Sequence, residues 1–337
     1  MNDEEYYRAK IITLGLGGAG CNLVNKLTNR GIKSATTVAL NTDAKHLNMI
    51  NAHKKILIGK EITRGLGAGG FPEIGARCAE ASQREINDTI QGHDLVFLCG
   101  GMGGGTGGGA LPVVAKYAKE QGALVVAFVT YPFLLERSRK QKADYGLEQL
   151  VKNTDTTIVV ENERLLSYAP NLPIEKAFEL IDNIVYNAVR GISDTISLPS
   201  MINIDFADLR TVMKSGGTAT INIGFGSGPD KVERVVKSVR EHPLLDVSTE
   251  NAKSALVHVS GAESLTISDV TKMVEGVTAD LDPKANVIMG ARLTSESPAD
   301  SVEVMSVITG VTPRFGSSNR NASYTDTSFI SGLERIL

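Results

Sequence analysis

The sequence predicts an α/β protein with a doubly wound parallel sheet, a long central helix and a smaller second α/β domain. Two observations predict the sheet. Short β-rich apolar runs (Ile11–Gly15, Thr37–Asn41, Ile56–Ile58, Asp94–Cys99, Leu124–Thr130, Thr156–Val160) alternate with helical patterns as far as about residue 160. Strands spaced by helices of about 10–20 residues pair in parallel. Glycine-rich stretches also follow three of these strands or the helices between them, and loops at the carboxyl ends of such strands build ligand sites. A third observation predicts the helix. In residues 174–198 the apolar positions Ala177, Phe178, Ile181, Ile184, Val185, Ala188, Val189, Ile192 and Ile196 recur at helical spacing, and Pro199 stops the pattern.

Past this helix, helical patterns near 230–241 and 266–280 and strands near 219–225, 255–260, 286–293 and 302–309 make the second domain. The expected boundaries are 1–173 for the first domain, 174–204 for the central helix and the start of a loop, and 205–312 for the second domain. Residues 313–337 read as a polar linker that closes on an apolar stripe, Phe329, Ile330, Leu333, Ile336 and Leu337, able to form a helix on binding.

Composition narrows the class of function. The chain has 337 residues, 42% hydrophobic and 22% charged, which suits a packed globular protein. Its 35 Lys and Arg against 38 Asp and Glu leave a net charge of -3, so no basic field draws it onto nucleic acid or an anionic membrane. Three scattered cysteines fit a reducing compartment, neither a disulfide framework nor a metal site. The acidic start is no signal peptide and no apolar run is long enough to insert in a membrane, so the expected location is the cytoplasm.

The 34 glycines carry the chemistry. Gly15–Gly20 is a G-x-G-x-x-G, but the acid expected at the end of the second strand for a ribose is replaced by Asn41, which disfavours a dinucleotide oxidoreductase. The stretch from Gly100 to Gly109 is more specific: its backbone amides can close around a phosphate, Thr106 adds a hydroxyl, and the helix opening near Gly107 adds its positive dipole end. No Lys follows as a P-loop requires. Phe178 and Asp182, at i and i+4, can stack on a purine and accept from guanine N1 and N2, although Asp182 also reads as a solvated helix position. Asn203, Asp205 and Asp208 can orient a water, or form an ordinary helix start. About 15 helical residues at 1.5 Å each, plus a loop, separate Asp182 from Asp205 by roughly 25 Å, which puts these carboxylates out of reach of a nucleotide on the same chain.

Together these motifs resemble the FtsZ family of tubulin-like proteins, over residues 10–312 in order. The resemblance rests on Gly15–Gly20 running into Asn22, Asn41-Thr42-Asp43, Thr63 to Gly69, Gly103 to Gly107, Pro132-Phe133 with Glu136, Asn162 to Leu165, Phe178 with Asp182, and Asn203 to Asp208. It implies a tubulin-like GTPase that polymerises head to tail and forms the division ring, with GTP or GDP bound and Mg²⁺ shielding the phosphates. It also implies that Gly17, Gly18 and Gly103, Gly104, Gly105, Thr106 and Gly107 meet phosphate, with Gly69 and Gly70 near the terminal one. Glu136 would hold the ribose, and Asn22, Asn162, Phe178 and Asp182 would surround guanine. Asn41 and Lys140 join the nucleotide-binding set. Asn203, Asp205 and Asp208 would enter the next subunit's site and activate the attacking water.

Three positions depart from the family pattern: Gly108 replaces a second hydroxyl, Phe71 the usual Asn, and Lys140 a common Arg. They bear on hydrolysis rate, so a GTP-bound filament scaffold with little or no hydrolysis remains the alternative. The run Glu136-Arg137-Ser138-Arg139 is closer to archaeal members. The implied partners are the chain itself and a membrane-tethering adaptor that takes the C-terminal stripe, under the membrane at the division site.

Overall fold

In the computed structural model, the structure describes residues 9–164, 173–214, 217–240, 247–249, 252–294 and 300–313. The stripe at 329–337 lies outside them. The chain divides into two compact units on either side of the Glu163–Arg164 bond, ten residues before the boundary expected from the sequence.

The first unit is built on six parallel strands: β1 (Ile11–Leu16), β2 (Thr36–Asn41), β3 (Lys54–Leu57), β4 (Leu95–Gly101), β5 (Leu124–Tyr131) and β6 (Thr156–Glu161). Their order is β3-β2-β1-β4-β5-β6. Strand order therefore turns back between β1 and β4, and an open parallel sheet offers its crevice at the carboxyl ends of those two strands. β1 runs straight into α1 (Gly17–Asn29), and β4 leads through residues 102–104 into α6 (Gly105–Glu120). The other helices are α2 (Ala44–Met49), α3 (Lys60–Thr63), α4 (Pro72–Ala81), α5 (Gln83–Ile90) and α7 (Arg137–Asn153). Ile12, Leu14, Leu16, Val96 and Leu98 of the central strands pack with Leu111, Val114 and Ala118 of α6 in one apolar core.

The second unit opens with α8 (Ile174–Ser197). Leu198 leaves the helix in extended geometry, as the residue before a proline must. After α9 (Phe206–Lys214) comes a mixed sheet in the order β7-β11-β9-β10, from β7 (Thr218–Ser227), β9 (Ser254–Gly261), β10 (Asn286–Leu293) and β11 (Ser301–Thr309). β11 is antiparallel to β7 and to β9, whereas β9 and β10 run parallel. A short pair, β8 (Val247–Ser248) and β12 (Thr312–Pro313), stands apart. Helices α10 (Lys231–Arg240) and α11 (Ile267–Thr278) cover one face through Val235, Val239, Met273 and Val277. Thr266 and Asp269 close the start of α11 with a reciprocal capping box.

Candidate functional site

The site begins with two helix starts that come together. A Cβ on Gly17, at the start of α1, would lie 3.0 Å from the backbone nitrogen of Gly107 and 3.4 Å from Thr106 Cβ in the first turn of α6. Neither helix has a side-chain cap: Leu16 precedes one and Gly104 the other. In α6 the first helical bond runs from Gly108 N to Gly104 O, so the amides of Gly105, Thr106 and Gly107 are the unpaired donors that a helix start leaves. Two positive dipole ends this close repel each other unless an anion sits between or above them. Gly18 and Gly104 are exposed, and a side chain at either would meet nothing within 4 Å. They flank open space over both amide clusters.

The glycine-rich stretch does two jobs, which corrects the reading of it as a single cradle. The helix opens at Gly105, two residues earlier than expected, and Gly107, Gly108 and Gly109 are buried in its body. A Cβ on Gly109 would fall 1.8 Å from the carbonyl oxygen of Pro72, so this glycine lets α6 lie directly on the backbone of α4. Only the stretch up to the first turn of α6 can serve as a cradle.

A second loop closes on the same helix start. From Arg64 to Gly70 it is tied to the end of β2 by Ala44 N to Gly65 O at 2.9 Å and by Gly67 N to Thr42 O at 3.0 Å. Farther on it leans on α6, since a Cβ on Gly105 would sit 2.7 Å from Phe71 N. The Gly70–Phe71 peptide therefore borders the start of α6. Thr42, missed in the sequence, bonds Thr106 hydroxyl to hydroxyl at 2.7 Å.

The remaining expected residues of this unit make contacts of their own. Asn41 turns its Oδ1 to the amides of Thr42 and Asp43, and its Nδ2 contacts His46 Nδ1 at 3.2 Å. His46 Nε2 in turn contacts Asn22 Oδ1 at 3.1 Å. Asp43 caps α2, its Oδ1 accepting from His46 N at 3.0 Å. Both carboxylate oxygens of Glu136 are engaged, one by Phe133 N at 3.2 Å and one by Arg139 Nη1 at 2.5 Å. Lys140 follows one turn into α7, its amide bonded to Glu136 O. Asn162 is 7% exposed, and its buried Oδ1 has no hydrogen-bond partner among the described residues.

Phe178 and Asp182 belong to the second unit, on the second and third turns of α8, and the Phe178 ring is half-exposed. In the same unit, Asp205 Oδ1 accepts from Asp208 N at 2.7 Å, and Asp208 Oδ2 lies 3.4 Å from Asp205 N. The pair thus makes the helix start that the sequence left as one of two readings, and the second oxygen of each carboxylate has no hydrogen-bond partner among the described residues. Asn203 Oδ1 accepts from Ser200 N at 2.9 Å.

The cysteines take no part. Burial pushes the Cys21 thiol up to about 12 and Cys99 higher still, which keeps both protonated and inert.

Known proteins match this architecture closely. The cell division protein FtsZ 2 of Methanocaldococcus jannaschii is 50% identical over 311 residues, covering 91% of this chain and 82% of that protein. FtsZ 2 of Haloferax volcanii is 48% identical over 310 residues, covering 92% and 77%. The model of the Tubulin/FtsZ family, GTPase domain, matches residues 10–170. That of the FtsZ family, C-terminal domain, matches residues 217–312. The chain belongs to the FtsZ family. It is a cell-division GTPase of that family, with its GTPase domain carrying the cradle and the FtsZ C-terminal domain holding the mixed sheet. A solved structure described as an empty FtsZ dimer from M. jannaschii superposes with a TM-score of 0.86 at 45% identity, covering 91% of this chain and 90% of that one. CetZ2 from Haloferax volcanii, at 21% identity and a TM-score of 0.76, shares the fold.

Among the described residues no group of three or more His, Cys, Asp and Glu side chains could hold a metal ion, and no helix is long and apolar enough to cross a membrane.

Proposed function

We propose that this FtsZ-family chain binds GTP with its phosphates over the starts of α1 and α6 and hydrolyses it between subunits of a head-to-tail filament. The observation that carries this reading is the pair of uncapped helix starts meeting at Gly17 and Gly107. Gly17, Gly18 and Gly103 to Gly107 bind the phosphates, Glu136 and Lys140 serve the ribose side, and Asn22, Asn41, Asn162, Phe178 and Asp182 serve the base. The unpartnered Oδ1 of Asn162 supports its place there. A Mg²⁺ fits as a guest of the nucleotide rather than of a protein cage, since such an ion keeps several waters and takes its remaining ligands from phosphate oxygens. It supplies charge neutralisation on those oxygens.

Asn203, Asp205 and Asp208 act on the nucleotide of the next subunit. A carboxylate there accepts a hydrogen bond from water and draws off its proton as the water attacks the terminal phosphorus, while the amides of α1 and α6 hold the departing diphosphate. The solved FtsZ dimer of a relative supports self-association. The stripe at 329–337 takes a membrane-tethering adaptor, and the filament assembles at the division site under the membrane. Light scattering with GTP, GDP and a non-hydrolysable analogue, with phosphate release followed in parallel, tests the reading. Scattering with GTP, and release only above an assembly threshold, are expected; scattering without release would make the chain a scaffold.

A further inference from the structure

Lys142 lies outside every motif discussed so far, yet its ammonium rests on the loop that borders the cradle. Its Nζ donates to the carbonyl oxygen of Gly70 at 2.5 Å and stands 5.1 Å from the centroid of the Phe71 ring. The same peptide lies on α6, because a Cβ on Gly105 would sit 3.1 Å from the Gly70 carbonyl carbon and 2.7 Å from Phe71 N. Ammonium, glycine peptide and helix start are therefore packed in that order. Gly69 and Gly70 are both left-handed, at φ 60° and 75°, and their amides have no acceptor among the described residues. The turn's own backbone bond is Phe71 N to Ala68 O at 3.0 Å, and Lys142 adds a second tie at the Gly70 carbonyl.

The second cation beside the cradle behaves differently. Arg139 lies against Gly103, 3.2 Å from where a Cβ would stand, but its guanidinium is paired with Glu136. Lys142 has a carbonyl and a ring face and, among the described residues, no carboxylate. A lysine is strongly hydrated and loses rotamer freedom when fixed. A fixed ammonium without a counter-ion is a placed positive charge, and a third phosphate group brings added negative charge to this side of the site.

We propose that Lys142 is a positioning residue that makes the site prefer a nucleoside triphosphate to the diphosphate. It holds the Gly69–Gly70 turn against α6 and leaves its own charge unneutralised beside it. This rests on the reading that phosphate lies over the starts of α1 and α6.

The test is competition binding of GTP and GDP to the full chain, below its assembly concentration, for the parent, Lys142→Met, Lys142→Arg and Phe71→Leu. Lys142→Met should lower the GTP-over-GDP affinity ratio about five- to tenfold with GDP affinity kept within about twofold. Lys142→Arg should restore most of the ratio. Phe71→Leu, which keeps the ammonium but not the ring, should lose about two- to threefold. An unchanged ratio in Lys142→Met overturns the proposal, and so does an equal loss of both nucleotides, which marks a merely structural lysine. A parent chain that binds neither nucleotide overturns the phosphate reading and Lys142 with it.

Discussion

The hydroxyls of Thr42 and Thr106 lie 2.7 Å apart and join the end of β2 to the first turn of α6. Thr42 is fully buried and Thr106 nearly so, so the bond pins the cradle from a strand two positions away in the sheet. Thr106→Val leaves the Thr42 hydroxyl without this partner and should cost about 1–3 kcal/mol. Thr106→Ser keeps the bond and should stay close to the parent. Urea midpoints measured without nucleotide decide it.

Two glycines a few residues apart should respond in opposite ways. Gly104→Val places a side chain in open space over the amides and should abolish nucleotide binding in a folded protein. Gly109→Ala forces a methyl onto the Pro72 carbonyl and should prevent folding. Circular dichroism and nucleotide retention separate the two, and a folded Gly104→Val that binds GTP normally would move the phosphates elsewhere.

Asp182→Asn should weaken GTP and favour xanthosine triphosphate, whose base offers a carbonyl where guanine has an amine. Losing a charge-assisted pair costs about 1.5–3 kcal/mol, roughly ten- to a hundredfold in affinity. Titrations with both nucleotides check it; unchanged GTP affinity removes Asp182 from the base site.

Catalysis between subunits predicts complementation. Asp208→Ala should bind GTP and hydrolyse it poorly, and it is a cleaner choice than Asp205→Ala, whose loss removes the 2.7 Å bond to Asp208 N and about 1 kcal/mol of helix capping. Mixed with Gly104→Val, it should regain part of the activity wherever the two cosediment. Copolymers without rescue would place the catalytic carboxylates on the same chain as their nucleotide.

Stability should fall with acid through His258. Burial, aided by Arg292, lowers its ring from 6.5 to about 4. Between those values the unfolded chain binds the extra proton, so this contribution is complete above about pH 6.5 and is lost as pH falls towards 4. By pH 5 the loss amounts to about 2 kcal/mol. Glu303, raised by burial, works in the other direction, so the comparison is between the parent and His258→Leu. The variant should lose less stability than the parent between pH 7 and pH 5.

The sheet, the long helix and the second unit were legible because burial imposes period on their residues. β1, β2, β4, β5 and β6 lie within two residues of their apolar runs. β3 was caught only in part, since it is an edge strand that begins on Lys54 and Lys55 and carries few apolar residues. Glycine was harder to read. A residue without a side chain looks the same whether it borders open space, as at Gly104, or lets another helix approach, as at Gly109. Lys142 left one faint signal. Gly146 in α7 would touch the carbonyl of Gly108 if it bore a Cβ, so it marks the face turned to α6, and Arg139 and Lys142 stand on that face at helical spacing.

The contact of Gly109 with Pro72 restricts the first unit more than its size suggests. It welds α4 to α6, so the chain beyond Phe71 cannot move without α6 itself. On the other side Gly65 and Gly67 are moored to the end of β2. What lies between is a span of four residues, Ala68 to Phe71. Any message that the loss of a phosphate sends from this loop must start as a flip of one or two peptide planes, a movement small enough to be reversed at every turnover.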